Sequence, residues 1–225
     1  MKNLKIYNKY WLDGQITSPL VIIIGGAAGT GKTVLAYKLQ KDIPYLNYLT
    51  AALIRSLLTI YISNKQNPYL HKHTFELHKF NNDEEHNKKE LIRKFVLQSR
   101  PIMDGIQAFL KFISTEKQHY IVDGPNAIPT VWKFNPGELI LVEFVLKVSD
   151  ENIHRIMMGG PTHNRNVTDE KLKASRLINE YLSQEGERLG KKVIEYNTDY
   201  RDVMNHIDQK VGEFLKQYHP ELINS

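Results

Sequence analysis

A glycine-rich segment near the start of the sequence constrains this chain more than any other feature. Residues 26–33 match the Walker A pattern at every constrained position. A continuous apolar, β-branched run at residues 19–24 precedes the segment, and apolar residues at helical spacing follow it. This order of strand, glycine loop and helix predicts a phosphate-binding loop at the end of a buried strand.

The residues of this loop have separate predicted roles toward a nucleoside triphosphate. Small residues allow successive backbone N–H groups to surround a β-phosphate at the positive end of the following helix. Lys32 is expected to bridge the β- and γ-phosphates, and the Thr33 hydroxyl is expected to bind Mg²⁺. The predicted ATP-binding residues of the loop are therefore Gly26, Ala27, Ala28, Gly29, Thr30, Gly31, Lys32, Thr33 and Val34.

Strand-like and helix-like segments alternate along the rest of the chain. Apolar runs at 119–122, 139–148 and 193–194 predict further strands, and apolar residues at helical spacing predict the helices around them. This alternation predicts one domain over residues 1–225 with a three-layer α/β fold and a mostly parallel central sheet. Ligands should then bind at the carboxyl ends of the strands.

Three local expectations concern individual elements. Residues 1–19 predict a short polar lead-in, for which a hairpin turning at Asp13 and Gly14 is one interpretation. Pro101 is expected to interrupt or kink the helix that contains it, since proline lacks a backbone N–H. Thr168 is expected to cap the helix that follows it.

Composition and charge limit which kinds of binding site and which binding partners we expect for this chain. The chain has no cysteine, which excludes disulfides, thiolate metal sites and cysteine nucleophiles. The net charge of +5 fits an anionic substrate, but the basic residues are scattered, as on solvated helix faces, so nucleic acid is not indicated. No apolar run reaches the ~20 residues that cross a bilayer, and no signal peptide is evident. We therefore expect a cytoplasmic protein without a membrane partner.

Asp123 is a second candidate site residue. It follows the apolar run at 119–122, and P-loop enzymes place a carboxylate at such a strand end. There it would hold a magnesium-bound water or receive the proton of the substrate hydroxyl. Asp123 precedes Gly124, however, and Asp-Gly pairs are also common in plain turns. Both interpretations stay open at this point.

A third candidate is a loop with arginines on both sides. Residues 159–161 read Gly-Gly-Pro, Arg155 and Arg165 flank them, and Arg176 lies on the next predicted helix. Mobile loops with arginines close over ATP in many small-molecule kinases and neutralise the charge of the transferred group. We expect residues 154–168 to form such a lid, with Arg155 contacting the nucleotide and both Arg165 and Arg176 contacting the transferred phosphate. For each arginine taken alone, a surface ion pair stays open as the alternative.

Three histidines stand close together in a polar segment, at His71, His73 and His78. No carboxylate accompanies them at good spacing, and Mg²⁺ prefers oxygen ligands, so we do not predict a metal cluster. A substrate-binding role for His71 or His73 and a plain loop role both remain open.

Several further segments resemble the archaeal 2-phosphoglycerate kinase family, a branch of the P-loop small-molecule kinases that includes mevalonate 3-phosphate kinase relatives. The similarity runs from about residue 20 to residue 197, and its order and spacing are more specific than any one segment. The segments that carry it, besides the Walker A residues, are 50–55, 70–76, 95–98, 104–106, 121–129, 154–155 and 176–182.

The resemblance implies a nucleoside-monophosphate-kinase-like fold and an ATP- and Mg²⁺-dependent kinase for a small phosphorylated hydroxy acid. It implies that residues 51–115 form a helical acceptor-binding region. Within that region Arg55, with His71 or His73, would bind the anionic groups of the acceptor. Asn197 and Thr198 would lie beside the adenine.

The sequence also departs from the family pattern in its acceptor half. Ala52 stands where the family has an acidic residue, and the lid arginine that the family pattern places near Met157 is absent. These departures suggest a different acceptor, so mevalonate 3-phosphate is considered alongside 2-phosphoglycerate. Two alternatives also stay open. One is a polynucleotide or nucleotide kinase, which the positive net charge permits, and the other is a non-catalytic ATP-binding switch protein.

Overall fold

A computed structural model describes residues 1–160, 166–196 and 199–223. The strands of this part are β1 (Leu20–Gly25), β2 (Asn47–Thr50), β3 (Tyr120–Gly124), β4 (Ile140–Lys147) and β5 (Lys192–Glu195). Its α-helices are α1 (Lys2–Leu12), α2 (Lys32–Asp42), α3 (Ala51–Tyr61), α4 (Glu84–Glu116), α5 (Glu151–Met158), α6 (Asp169–Arg188) and α7 (Arg201–Tyr218).

The strands form one sheet in the order β2-β3-β1-β4-β5, and every neighbouring pair is parallel. The central strand β1 pairs with β3 on one side and with β4 on the other. Parallel strands bring their carboxyl ends to one edge, so the residues that follow β1, β2 and β3 meet there. The predicted α/β fold with a mostly parallel sheet is confirmed.

Helices cover both faces of the sheet, which explains why the β1 segment is apolar throughout. Leu20, Ile22 and Ile24 pack into a core shared with α1, α2 and α7. Val21 and Ile23 point to the opposite face and pack against α3 and α4. Successive side chains of a strand alternate between faces, so burial on both faces requires a continuous apolar run.

The first residues form helix α1, so the interpretation of this segment as a hairpin is wrong. Leu4 and Tyr7 lie on one face of the helix and are buried in the first core. Asp13 does lie at a turn, but it is the C-cap of the helix, and its N–H bonds to the carbonyl of Lys9. Helical spacing of apolar residues, rather than the Asp-Gly turn signal, decides the structure here.

Pro101 lies inside α4, a continuous helix of 33 residues, so the expected interruption is wrong, whereas the alternative of a kink stays a prediction. Proline cannot donate a hydrogen bond to the carbonyl four residues earlier, which belongs to Leu97. That carbonyl accepts a bond from the side chain of Asn67 instead, at 3.2 Å. The helix therefore passes Pro101 without an unsatisfied carbonyl at Leu97.

Helix α5 occupies the start of the segment predicted as a lid. Asp150 caps it, since its side chain accepts a bond from the N–H of Ile153 at 2.9 Å. Residues 161–165, the centre of that lid, lie outside the described residues, so the lid stays a prediction. Thr168 caps α6 as expected. Within the described ranges, no helix is both long and apolar enough to span a membrane.

Candidate phosphate-binding and catalytic site

Glycines shape the loop between β1 and α2. Gly26, Gly29 and Gly31 have φ angles of 147°, 79° and 82°, which side-chain-bearing residues rarely adopt. A Cβ on Gly26 would lie 2.4 Å from the carbonyl oxygen of Leu146, in the neighbouring strand β4. The glycines of the Walker A pattern are therefore required by backbone geometry and by close packing.

Lys32 is the first residue of α2, and its side chain is buried in the loop. Its Nζ donates to the carbonyl of Ala27 at 2.5 Å and to Thr30 Oγ1 at 3.3 Å. These bonds hold the ammonium group inside the curve of the loop. A cation in this position can neutralise the phosphate groups that the loop amides would bind.

Thr33 and Asp123 meet beside this loop. Asp123 lies near the end of β3, where it stands opposite Ile24 of β1 and Thr50 of β2 in the sheet register. Thr33 Oγ1 lies 3.5 Å from Asp123 Oδ2. The structure therefore brings the two predicted metal residues together at the carboxyl edge of the sheet.

The surroundings of Asp123 affect its ionisation. Burial raises the pKa of the Asp123 carboxyl above its ordinary value, while the charge of Lys32 and the nearby hydroxyls of Tyr48 and Thr33 lower it. Burial has the larger effect, so this carboxyl holds a proton to a higher pH than an exposed aspartate does.

Tyr48 is a site residue that the sequence analysis missed. Its hydroxyl is buried close to Thr33 and Asp123, and burial together with the Asp123 charge raises the pKa of Tyr48. Strand β2 has four residues, too few for a periodic pattern to reveal it. Its pairing with β3, which places Tyr48 opposite Ile121, is what brings the phenol to the site.

Helices α5 and α6 contact the phosphate-binding loop directly, which the sequence analysis also missed. His154 Nε2 and Ser175 Oγ lie 2.7 and 2.8 Å from the carbonyl oxygen of Ala28. A Cβ on Gly29 would lie within 3.0 Å of the Met158 backbone. The loop is thus packed against both helices and is not a freely exposed turn.

Arg155 and Arg176 connect helix α5, or the residues just before it, to helix α6. Arg155 forms an ion pair with Asp169 at 2.6 Å. Arg176 donates to the carbonyl of Ser149 at 3.1 Å and pairs with Glu151 at 3.3 Å. In this conformation both side chains are engaged with protein groups, and their contacts with phosphate stay predictions. Arg165 lies outside the described residues.

The predicted acceptor residues contact the backbone of one loop. Arg55 of α3 donates from Nη1 to the carbonyl of Leu70 at 3.0 Å, and burial lowers its pKa. His71 Nε2 lies 2.8 Å from the carbonyl of Ile62. The N–H of His73 bonds to Glu76 in the short 3-10 helix Thr74–Glu76. These residues shape the loop; acceptor binding by them stays a prediction.

A cavity lies beside α2, β5 and α7, next to the phosphate-binding loop. Val34, predicted to contact the nucleotide, forms part of its wall. Asn197 and Thr198 lie outside the described residues, although Tyr196 and Asp199 on either side of them line the cavity. Its apolar wall consists of Val34, Leu35, Leu146, Ile194 and Val203. With a volume of about 20 Å³ the cavity has room for a water molecule but not for a base in this conformation.

Sequence comparison confirms the resemblance. No protein-family model matches the chain. A 2-phosphoglycerate kinase of Methanocaldococcus jannaschii is 27% identical over 199 residues, covering 85% of this chain and 63% of the relative. One from Pyrococcus horikoshii is 24% identical, covering 88% of this chain and 67% of the relative. One from Methanothermobacter thermautotrophicus is 25% identical, and the chain spans 47% of its length. The chain thus spans roughly half to two thirds of these relatives.

Solved structures with a similar fold include small-molecule kinases. A gluconokinase from Sinorhizobium meliloti aligns with a TM-score of 0.47 and 8% identity, covering 90% of this chain and 97% of that one. A shikimate kinase from Acinetobacter baumannii aligns with a TM-score of 0.44 and 15% identity, covering 92% and 98%. Because both TM-scores are modest, the fold assignment rests on this chain's own strand order and register.

Proposed function

From its homology to archaeal 2-phosphoglycerate kinases and from its phosphate-binding loop, we propose that this chain is an ATP- and Mg²⁺-dependent kinase. It transfers the terminal phosphate of ATP to a hydroxyl group of a small phosphorylated hydroxy acid. The observation that carries the proposal is the meeting of Lys32, Thr33 and Asp123 at the carboxyl edge of the sheet. These three groups supply a cation, a hydroxyl and a carboxylate beside a loop shaped for phosphates.

Phosphoryl transfer depends mainly on positioning and on neutralising charge, and these residues fit that need. The loop amides and Lys32 hold the phosphate chain, and Lys32 offsets the charge that moves to the leaving oxygen. The oxygens of Thr33 and Asp123 suit Mg²⁺, which prefers oxygen ligands and keeps several waters. Thr33 would hold the ion directly and Asp123 through water; when bound, Mg²⁺ neutralises the β- and γ-phosphate oxygens.

Asp123 also lies where it could act on the acceptor hydroxyl. Burial raises the pKa of this carboxyl, which makes it a better proton acceptor than an exposed aspartate. Holding a magnesium water and orienting the hydroxyl are both compatible with its place beside Thr33. Either role predicts a large loss of turnover for Asp123→Asn.

Two acceptors are proposed, each supported by a different observation. The activity for which the relatives are named supports 2-phosphoglycerate. Ala52, exposed in the first turn of α3, replaces an acidic residue expected from the family pattern and supports a different phosphorylated hydroxy acid, mevalonate 3-phosphate. Arg55 and the loop it holds, with His71 and His73, are proposed to bind the anionic groups of either compound.

The test is ADP release from ATP and Mg²⁺ with a panel of acceptors. The panel contains 2-phosphoglycerate, mevalonate, mevalonate 3-phosphate and an oligonucleotide with a free 5′-hydroxyl. Lys32→Ala is expected to abolish turnover, and Lys41→Ala, an exposed lysine of the same helix, is the matched control. Turnover with one phosphorylated acid, lost only in Lys32→Ala, supports the proposal and identifies the acceptor.

Other outcomes favour the alternatives. Turnover with the oligonucleotide and a steep salt dependence of its binding would indicate a polynucleotide kinase, because phosphate contacts release counterions. Tight ATP binding without turnover on any acceptor would indicate a non-catalytic switch protein. Either result would contradict the proposed substrate class.

A further inference from the structure

One carbonyl of the phosphate-binding loop accepts hydrogen bonds from two separate helices. The oxygen of Ala28 lies 2.7 Å from His154 Nε2 of α5 and 2.8 Å from Ser175 Oγ of α6. The two donor atoms lie 3.4 Å from each other. His154 is fully buried and Ser175 is 1% exposed, so water does not reach these two hydrogen bonds.

Both side chains donate to this carbonyl. A carbonyl oxygen only accepts, so the ring proton of His154 lies on Nε2. Burial lowers the pKa of His154, and the nearby charges of Arg176 and Lys32 lower it further, whereas the Ala28 bond and Glu151 raise it. Its Nδ1 is buried without a hydrogen-bond partner in the described part of the chain. An imidazole with one unsatisfied nitrogen costs stability, which points to a role for the nitrogen that is bonded.

The orientation of this carbonyl determines the direction of the next amide. The peptide unit is planar and trans, so the N–H of Gly29 points opposite to the C=O of Ala28. Fixing the carbonyl toward α5 and α6 therefore directs the Gly29 N–H away from these helices. Gly29 has a φ of 79°, and a glycine in this position allows the peptide plane to rotate at little steric cost.

We propose that His154 and Ser175 are positioning residues that hold the Ala28–Gly29 peptide with its N–H directed toward the bound phosphates. They do not touch the nucleotide themselves. This inference rests on the proposed nucleotide site. The same pair contributes to the packing of α5 and α6 on the loop, so a test must separate phosphate affinity from stability.

Because the two donors share one acceptor, their loss is expected to be non-additive. In Ser175→Ala or His154→Leu, the other residue still holds the carbonyl, and each single variant should weaken ATP binding only about twofold to threefold. In the double variant the carbonyl has neither donor, and binding should weaken at least about tenfold, equivalent to about 1.4 kcal/mol. His154→Gln keeps an N–H donor at a similar reach and should bind ATP almost as the wild type does.

The experiment measures dissociation constants by calorimetry for ATP, pyrophosphate and adenosine, with the free energy of unfolding measured for every variant. Pyrophosphate binding should weaken as much as ATP binding, and adenosine binding should not change, because the effect is confined to the phosphate site. Ser183→Ala is the matched control: its hydroxyl bonds to a carbonyl of the same helix, at Asn179, 2.8 Å away. It should leave all three constants unchanged.

The outcomes are separable. A folded double variant with wild-type affinity for ATP and pyrophosphate overturns the inference, and so does an equal loss of adenosine binding. If the double variant does not fold, His154→Leu and His154→Gln are compared; equal pyrophosphate affinity in these two overturns it. If the wild type binds neither ATP nor pyrophosphate, the proposed function fails and this inference fails with it. Normal binding without turnover contradicts the kinase proposal alone.

Discussion

The residue type at some positions of the phosphate-binding loop is required by packing against neighbouring atoms as well as by phosphate binding. Gly26 has a φ of 147°, and the carbonyl oxygen of Leu146 lies only 2.4 Å from the place that a Cβ would take. That carbonyl belongs to strand β4 and cannot move without disturbing the sheet. The first glycine of the pattern therefore has a structural requirement in addition to its role near phosphate.

Gly26→Ala is expected to lower the free energy of unfolding by roughly 2–4 kcal/mol, because backbone strain and a clash with a strand carbonyl add together. Gly190→Ala is the matched control, since Gly190 has a φ of 65° but no heavy atom within 4 Å of the place its methyl group would take. It should cost only about 1 kcal/mol, from strain alone. Denaturant unfolding measures both; similar losses would contradict the role given to the Leu146 carbonyl.

His119 is a second residue with a requirement set by its surroundings. Its Nδ1 accepts a bond from the N–H of Leu20 at 2.9 Å, and it packs against Trp11 of α1 with ring centroids 4.1 Å apart. Burial lowers the pKa of His119 from 6.5 to about 4. In the folded protein this ring therefore stays neutral at pH values at which it is protonated in the unfolded chain.

The pH dependence follows from that difference. Between pH 6.5 and about 4 the unfolded state binds a proton that the folded His119 does not, so stability falls as the pH falls. The contribution amounts to at most about 3 kcal/mol, present above pH 6.5 and lost toward pH 4. In His119→Asn the free energy of unfolding should fall less between pH 7 and pH 5 than in the wild type. Equal slopes in His119→Asn and in the wild type would refute the assignment.

At the scale of elements, helix α4 holds the proposed acceptor loop against the end of β3. Gln98, fully buried, donates from Nε2 to the carbonyls of Tyr69 and Lys72 at 2.6 and 2.8 Å. Its Oε1 accepts from Asn126 at 3.0 Å, three residues after Asp123. One side chain thus links α4, the loop that contains His71, and the segment that follows β3.

Gln98→Leu is expected to lower the free energy of unfolding by about 2–4 kcal/mol, because two carbonyls and an amide lose their buried partner. The KM of the acceptor should rise, while the dissociation constant of ATP should stay near its wild-type value. Gln107→Leu is the matched control. Gln107 also lies on α4, and its side chain makes exposed hydrogen bonds to the backbone of Lys133, so this substitution should cost less than about 1 kcal/mol. Equal losses of ATP and acceptor affinity would show that Gln98 does not act on the acceptor loop selectively.

At the scale of the whole molecule, ligand binding and folding are linked. A ligand that binds only the folded state stabilises it by about 2.7 kcal/mol at a hundred times its dissociation constant. For a chain of 225 residues this corresponds to a Tm increase of roughly 5–10 °C. The net charge of +5 favours anionic ligands in general, so a Tm increase must be tested against more than one anion.

ATP with Mg²⁺ at saturating concentration should therefore raise the Tm by about 5–10 °C in the wild type. Lys32→Ala should lose most of this increase and Lys41→Ala should keep it, as measured by differential scanning calorimetry. A single-stranded oligonucleotide should give little increase at physiological salt. The reverse pattern, a response to oligonucleotide and none to ATP, would favour the nucleic-acid alternative.

Local signals in the sequence predicted much of the fold and half of the site. The continuous apolar run before Gly26 predicted β1 because burial on both faces leaves no polar position. The glycines, Lys32 and Thr33 follow one another within a single loop, so their spacing is enough to identify them. The α1 helix was predicted wrongly because an Asp-Gly turn signal competes there with the helical spacing of apolar residues. The uninterrupted course of α4 through Pro101 has no local signal, because the bond from Asn67 to Leu97 joins distant segments.

By itself the sequence determined the phosphate-binding loop and the parallel sheet that carries it, because these depend on neighbouring residues and on periodic burial. Only the tertiary structure decided which distant groups reach the loop. Tyr48 lies beside Asp123 because β2 pairs with β3, and His154 and Ser175 meet at Ala28 because two helices pack on the same carbonyl. Such contacts join residues far apart in the chain, and no local pattern encodes them.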